Sequence, residues 1–93
     1  MQKVIKICHS MEDDNFGMFE DIIISLDCPY SENDLAVEIS SNISEYQEKL
    51  KFDLKDNKVH NFQVENNRYE MELTSIEKNS QGFLHFEFLV TKD

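Results

Sequence analysis

An all-β fold is predicted for this 93-residue chain by three features of its sequence. Apolar and polar residues alternate through 35–40, 50–55, 68–74 and 83–90, the period of a strand with one buried face. The segments between them are short and polar. Only one stretch, near 43–48, carries helical spacing, so an antiparallel sandwich or curled open barrel of about six or seven short strands is expected, with α+β as the alternative. The length fits a single domain over 1–93, because domains typically span about 50–250 residues.

The elements follow in order. Lys3-Val4-Ile5-Lys6-Ile7-Cys8 is a β-branched run that suits a first strand. Met11 to Gly17, with three consecutive acids and a glycine, reads as a solvated loop. Phe19 to Asp27 contains Ile22-Ile23-Ile24-Ser25-Leu26, too short and too branched for a helix, and is expected to be a central strand. Cys28 to Asp34 holds the only proline among turn formers and should reverse the chain into a hairpin. The next strand, Leu35 to Ser40, sets Leu35, Val37 and Ile39 on one face.

Residues 42–55 give two patterns. Ile43, Tyr46, Leu50 and Leu54 fit a helical stripe, and Asn42 with Glu45 resembles a capping box. Leu50 to Lys55 alternates without a fault, and a helix there would send Phe52 to the wrong face. The expectation is a short helix or irregular turn over 43–48, then a strand. Val59 to Glu65 forms a further strand, Asn66-Asn67 a two-residue turn, Arg68 to Glu77 another strand and Lys78 to Gly82 a glycine-containing turn. Phe83 to Thr91 closes the chain with Leu84, Phe86, Phe88 and Val90 facing one way, and His85 and Glu87 the other.

Charge is distributed unevenly. Nineteen acidic residues against nine basic give a net charge of −10. From Ile7 to Glu48 there are eleven carboxylates and no lysine or arginine. Bare nucleic acid and anionic membrane are poor partners for such a chain, since polyphosphate binding relies on clustered cations. The N-terminal residues form no sustained apolar run, and no stretch approaches the roughly 18 apolar residues of a membrane span, so a cytoplasmic location with Cys8 and Cys28 as thiols is expected.

Chemistry-bearing motifs are sparse. Asp13, Asn15 and Gly17 have the opening spacing of a calcium loop, but Met18 and Ile24 stand where an EF-hand needs its glycine and bidentate glutamate. Cys8, His9, Cys28, His60 and His85 show no zinc-ligand spacing. Cys8 or Ser10 beside His9 would need glycines to build an oxyanion hole, and Gly17 and Gly82 are both explained as turn residues. No metal, cofactor or catalytic residue is assigned, and an enzyme is not expected. Phe62, Tyr69, Phe83, Phe86 and Phe88 are read as core rather than as a base-stacking platform, because the charges near them are mostly acidic.

A binding protein that docks on a basic partner is therefore expected. In size and charge the chain resembles bacterial toxin-immunity proteins and phage-encoded inhibitors of host defences, which would imply stoichiometric inhibition of a partner with a basic, nucleic-acid-handling surface. Opposed fields speed such an association and select its partner by sign. The candidate contact comprises the carboxylates Glu12, Asp13, Asp14, Glu20, Asp21, Asp27, Glu32 and Asp34, with Phe16, Phe19 and Tyr30 as aromatic anchors among them. The alternative is a structural or adaptor module that homodimerises or pairs through a sheet edge.

Overall fold

Successive side chains of a strand point to opposite faces, and among the described residues the buried set is hydrophobic throughout. A computed structural model describes residues 1–8, 16–31 and 34–93, with the backbone alone placed at 27–31 and at 34. It contains eight strands: β1 (Gln2–Cys8), β2 (Phe16–Phe19), β3 (Ile22–Ser31), β4 (Asp34–Ser41), β5 (Gln47–Phe52), β6 (Val59–Val64), β7 (Asn67–Lys78) and β8 (Leu84–Lys92). They form two four-stranded sheets, β2-β3-β4-β5 and β1-β8-β7-β6, in which every pairing is antiparallel. The sheets pack face to face as a small sandwich. Apart from β1, which returns to pair with β8, the order is that of a meander.

The core lies between the sheets. Ile22 and Ile24 of β3, Leu35, Val37 and Ile39 of β4, and Leu50 and Phe52 of β5 face Ile5 and Ile7 of β1, Phe62 and Val64 of β6, Tyr69, Met71 and Leu73 of β7, and Phe86, Phe88 and Val90 of β8. Aromatic contacts tie one sheet to the other. Phe52 meets Phe88 edge-on with ring centroids 5.3 Å apart, and Phe19 meets Tyr69 edge-on at 6.2 Å. Tyr69 in turn stacks on Phe62 at 5.3 Å.

Two seams separate the sheets, and each is bridged by a side chain. At the first, Lys3 Nζ donates to the Met18 carbonyl at 3.2 Å. A Cβ on Gly17 would lie 2.4 Å from Ile5 Cγ2, so β1 and β2 approach as closely as they do because residue 17 has no side chain. At the second, the His60 ring lies edge-on against Phe52, and its Nε2–H donates to the Lys51 carbonyl at 2.5 Å. The link between β5 and β6 is organised by Asp53, whose Oδ1 accepts from the backbone N–H groups of Lys55, Asp56 and Asn57 at 2.8, 2.6 and 3.3 Å. The Asp56 N–H is the largest cause holding the Asp53 carboxyl below its ordinary pKa; partial burial opposes it, and the Lys55 and Asn57 groups reinforce it.

Several expectations are corrected. Among the described residues there are eight strands where about six or seven are expected, the added one being Phe16–Phe19, which is a strand and not the end of a loop. Phe19 closes β2, and the two-residue turn Glu20-Asp21 leads into β3. No helix forms at 43–48. The Ser41 hydroxyl accepts from the N–H groups of Ile43 and Ser44 at 3.1 and 3.2 Å, and Ser44 Oγ accepts from Tyr46 N–H at 3.4 Å. Of the two expectations for 43–48 the irregular turn is the one that forms: the segment connects the paired strands β4 and β5, the Ser41 N–H donates to the Tyr46 carbonyl at 3.2 Å, and the serine hydroxyls hold the bend between them. The fifth strand is Gln47–Phe52 rather than 50–55, since the Asp53 turn ends it. The tight turn after β6 is Glu65-Asn66, not Asn66-Asn67, and its positive φ of 56° falls on glutamate. β3 continues to Ser31, past the expected reversal at Cys28, with a register shift between Asp27 and Ser31. That interval holds Pro29, which cannot donate to a ladder. The acidic loop 12–14 and the calcium-like spacing at Asp13 and Asn15 lie outside the described residues, as do His9 and Ser10.

Three outcomes are expected. Gly17→Ala should lower stability in urea unfolding by about 1–3 kcal/mol, the usual cost of overpacking; wild-type stability would mean that the first seam yields without cost. The Tyr69 hydroxyl is buried and finds no hydrogen-bond partner, so Tyr69→Phe should leave stability unchanged or raise it by up to about 1 kcal/mol. A loss of similar size would reveal a bonded hydroxyl. Because folding depresses the Asp53 pKa, its ionised form adds stability above its ordinary value of 3.8 and loses that contribution as pH falls through that value toward the lower folded-state one. Asp53→Ala should therefore be less stable than wild type at neutral pH, with the gap closing in acid. A gap that persists unchanged in acid would assign the loss to something other than the carboxylate.

Candidate functional site

The lysine-free stretch becomes a strip of three strands. β2, β3 and β4 carry no basic residue, while Lys3 and Lys6 of β1 and Lys49 and Lys51 of β5 border them on either side. Register sets Lys49 opposite Glu38 and Lys51 opposite Ala36, and Gln47 Nε2 donates to Glu38 Oε1 at 2.8 Å. The one-sided field read from the sequence is thus a strip between cationic borders rather than half of the surface.

The outer face of that strip is apolar where it meets the first seam. Gly17 and Phe19 point inward, so Phe16 and Met18 point out, and they are 43% and 46% exposed. Their neighbours on β3 are Ser25 and Ile23, and Ile23 in turn adjoins Ser40 of β4. Across the seam Ile5 sits against Gly17 and Lys3 reaches Met18, which brings the outward residue between them, Val4 (52% exposed), beside Met18. Val4 pairs with Leu89 on β8. A band of apolar side chains, Leu89, Val4, Met18 and Ile23, with Phe16 beside it, therefore runs across the outer surface of both sheets. Isolated exposed hydrophobes need no explanation, but a contiguous group bordered by polar residues marks interaction surfaces.

The structure separates the expected contact residues. Phe16 is exposed at the start of β2. Phe19 is 3% exposed, edge-on to Tyr69, and belongs to the core rather than to a docking surface. Glu20 and Asp21 form the turn at the far end of β2, roughly 13 Å from Phe16 at about 3.3 Å per residue. They lie toward Tyr69, whose hydroxyl is pushed up in pKa first by burial and then by the charges of Asp21 and Glu20. Glu20 also takes a positive φ of 55°, an uncommon conformation for a residue with a side chain. The backbone positions of Asp27, Tyr30 and Asp34 lie at the opposite end of this sheet, the end at which Phe16 begins β2. Their side chains, like Glu12, Asp13, Asp14 and Glu32 altogether, lie outside what is described. Among the described residues, Glu20 and Asp21 thus fall at one end of the sheet and the backbone of Asp27 and Asp34 at the other.

Val4, Met18, Ile23 and Leu89 were not legible as a group. Val4, Ile23 and Leu89 sit in runs that read as strand but Met18 falls between an expected loop and the next strand, and only the assignment of Gly17 and Phe19 to the inside turns Met18 and Phe16 outward. Among the described residues no three His, Cys, Asp or Glu side chains are gathered as metal ligands, and no helix is long and apolar enough to cross a membrane. Comparison of the chain with protein-family models, curated proteins and solved structures gives no match.

Proposed function

We propose that the chain is a non-enzymatic binding protein that docks on a basic surface of a partner protein, acting as a stoichiometric inhibitor of the toxin-immunity or anti-defence type in the cytoplasm. The observation that supports this reading is the exposed pair Phe16 and Met18 on a lysine-free strip, with exposed Val4 on the bordering strand β1, in a chain with net charge −10. Apolar anchors supply affinity through desolvation, while carboxylates around them supply rate and selectivity. The end of the sheet that begins at Phe16 is the favoured centre of the contact, because Asp27 and Asp34 of the neighbouring strands belong to it. Glu20 and Asp21, at the other end, are peripheral to it.

Edge pairing is less favoured by the geometry. β1 faces β2 at one seam and β5 faces β6 at the other, so an incoming strand must first displace Lys3 from Met18 or His60 from Lys51.

The test is capture from the native host with wild-type chain, Phe16→Ala and the double charge reversal Asp13→Lys with Asp14→Lys, followed by titration of the captured partner's activity. Phe16→Ala should weaken binding by about 2 kcal/mol, roughly thirtyfold, as loss of an anchor does, and the charge reversal should slow association. Binding should also weaken steeply with added salt. Full affinity in both folded variants, with little salt dependence, would overturn the docking surface and favour the edge-pairing adaptor. Binding at the expected site that leaves the partner's activity unchanged would overturn inhibition alone.

A further inference from the structure

On the outer face of the other sheet a thiol, an imidazole and an amide converge. Cys8, the last residue of β1, pairs in register with His85 of β8, whose register partner on its other side is Glu77 of β7. Cys8 is in the thiol form and half-buried. Its Sγ lies 3.4 Å from His85 Nε2, and Asn79 Nδ2 lies 3.1 Å from the same nitrogen. The orientation of Asn79 is not arbitrary. Its Oδ1 accepts from the backbone N–H groups of Gln81 and Phe83, both at 2.9 Å, so the group facing His85 is the amide nitrogen, which only donates. Nε2 must therefore carry the lone pair and the ring proton must sit on Nδ1. The Cys8 thiol is a second donor within reach of that lone pair, and a thiol beside an unprotonated imidazole nitrogen is the arrangement in which the ring accepts the thiol proton.

We propose that Cys8, His85 and Asn79 form a reactive-thiol site that exchanges with small disulfides, with the Cys8 proton passing to His85 Nε2. The Cys8 thiolate attacks one sulfur of the disulfide; that S–S bond breaks as the Sγ–S bond forms. The departing thiolate leaves with the electron pair and takes the proton from Nε2. One disulfide is consumed and one is made, so no outside oxidant enters. Asn79 fixes the ring and its tautomer. The proton arriving on Nε2 displaces the Asn79 amide contact, while Asn79 itself stays anchored through Oδ1.

A cleft of about 520 Å³ opens beside His85, with Lys6, Glu77, Lys78 and Glu87 on its walls. Lys6 and Glu87 are paired at 4.0 Å. Two cations and two carboxylates offset one another, so the cleft favours neither an anionic nor a cationic disulfide. The site involves none of the side chains proposed for docking and stands independently of that reading.

The experiment incubates the full chain at neutral pH with oxidised glutathione and, separately, with hydroxyethyl disulfide, and locates adducts by peptide mass mapping. Cys8 should form a mixed disulfide with both reagents, reversed by dithiothreitol and absent in Cys8→Ser. His85→Gln, which keeps a polar side chain but no base, should slow the reaction at least about threefold, because thiolate population and nucleophilicity partly offset each other. The midpoint of the pH–rate profile should rise in this variant toward the ordinary thiol value of about 8.5. A merely structural histidine would leave that midpoint in place. Should His85→Gln fail to fold, His85→Asn, which also lacks a base, serves as the second variant with the same rate and pH-profile readouts. The proposal is overturned if Cys8 forms no adduct or if the profile midpoint is unchanged in the folded variant.

Discussion

The absence of a side chain at Gly17 is the constraint on which the arrangement of the two sheets depends. Between β1 and β2 no backbone ladder sets the spacing, and the gap is determined by what fits between the strands. Ile5 lies where a Cβ of residue 17 would be, so the inward face of β2 is filled from β1. With Gly17 and Phe19 turned inward, Phe16 and Met18 must turn outward, and the exposed apolar band follows. The same closeness lets Lys3 reach the Met18 carbonyl. The core, the seam and the candidate docking surface thus share one cause.

The second seam solves the same problem differently. There His60 supplies an edge-on ring to Phe52 and a donor to Lys51, while Asp53 gathers three backbone N–H groups into the connection that carries the chain between sheets. Histidine suits this place because one side of the ring packs as an apolar disc while its nitrogen satisfies a carbonyl at the sheet edge. Both seams leave the sheet edges facing one another, which protects them from pairing with other chains. Recognition is thereby shifted from edges to faces. One outer face carries the lysine-free apolar strip and the other the Cys8–His85 pair. β1 contributes to both, because Val4 and Cys8 share its outward side.

Much of the fold was legible in the sequence because strand parity is a local property. The alternations in 35–40, 68–74 and 83–90 assign buried and exposed faces without reference to partners, and Leu35, Val37, Ile39, Tyr69, Met71, Leu73, Phe86, Phe88 and Val90 are all buried. The misplaced boundaries share a physical origin in side chains that bond to nearby backbone. Ser41 and Ser44 hold the bend that joins β4 to β5 where the spacing of 43–48 left helix and turn open, and Asp53 ends β5 before the alternation of 50–55 has run out. Such hydroxyl and carboxylate contacts depend on the path the chain takes between strands, and residue spacing does not reveal it. The short β2 escaped notice because four residues containing a glycine carry too little pattern to register a period.

The sequence by itself determined the all-β class, the inward faces of the long strands and the segregation of charge, since each follows from residue order along one strand or one stretch. Only the tertiary structure decided which strands border the lysine-free strip, that Phe19 is core while Phe16 is surface, and that Glu20 and Asp21 lie at one end of their sheet with the backbone of Asp27 and Asp34 at the other. It alone brought Cys8 and His85 to 3.4 Å across 77 positions of chain. The reason is physical: an alternating pattern states which side of a strand is buried, but adjacency between strands depends on the packing of distant side chains, and at the first seam that packing turns on a single missing Cβ.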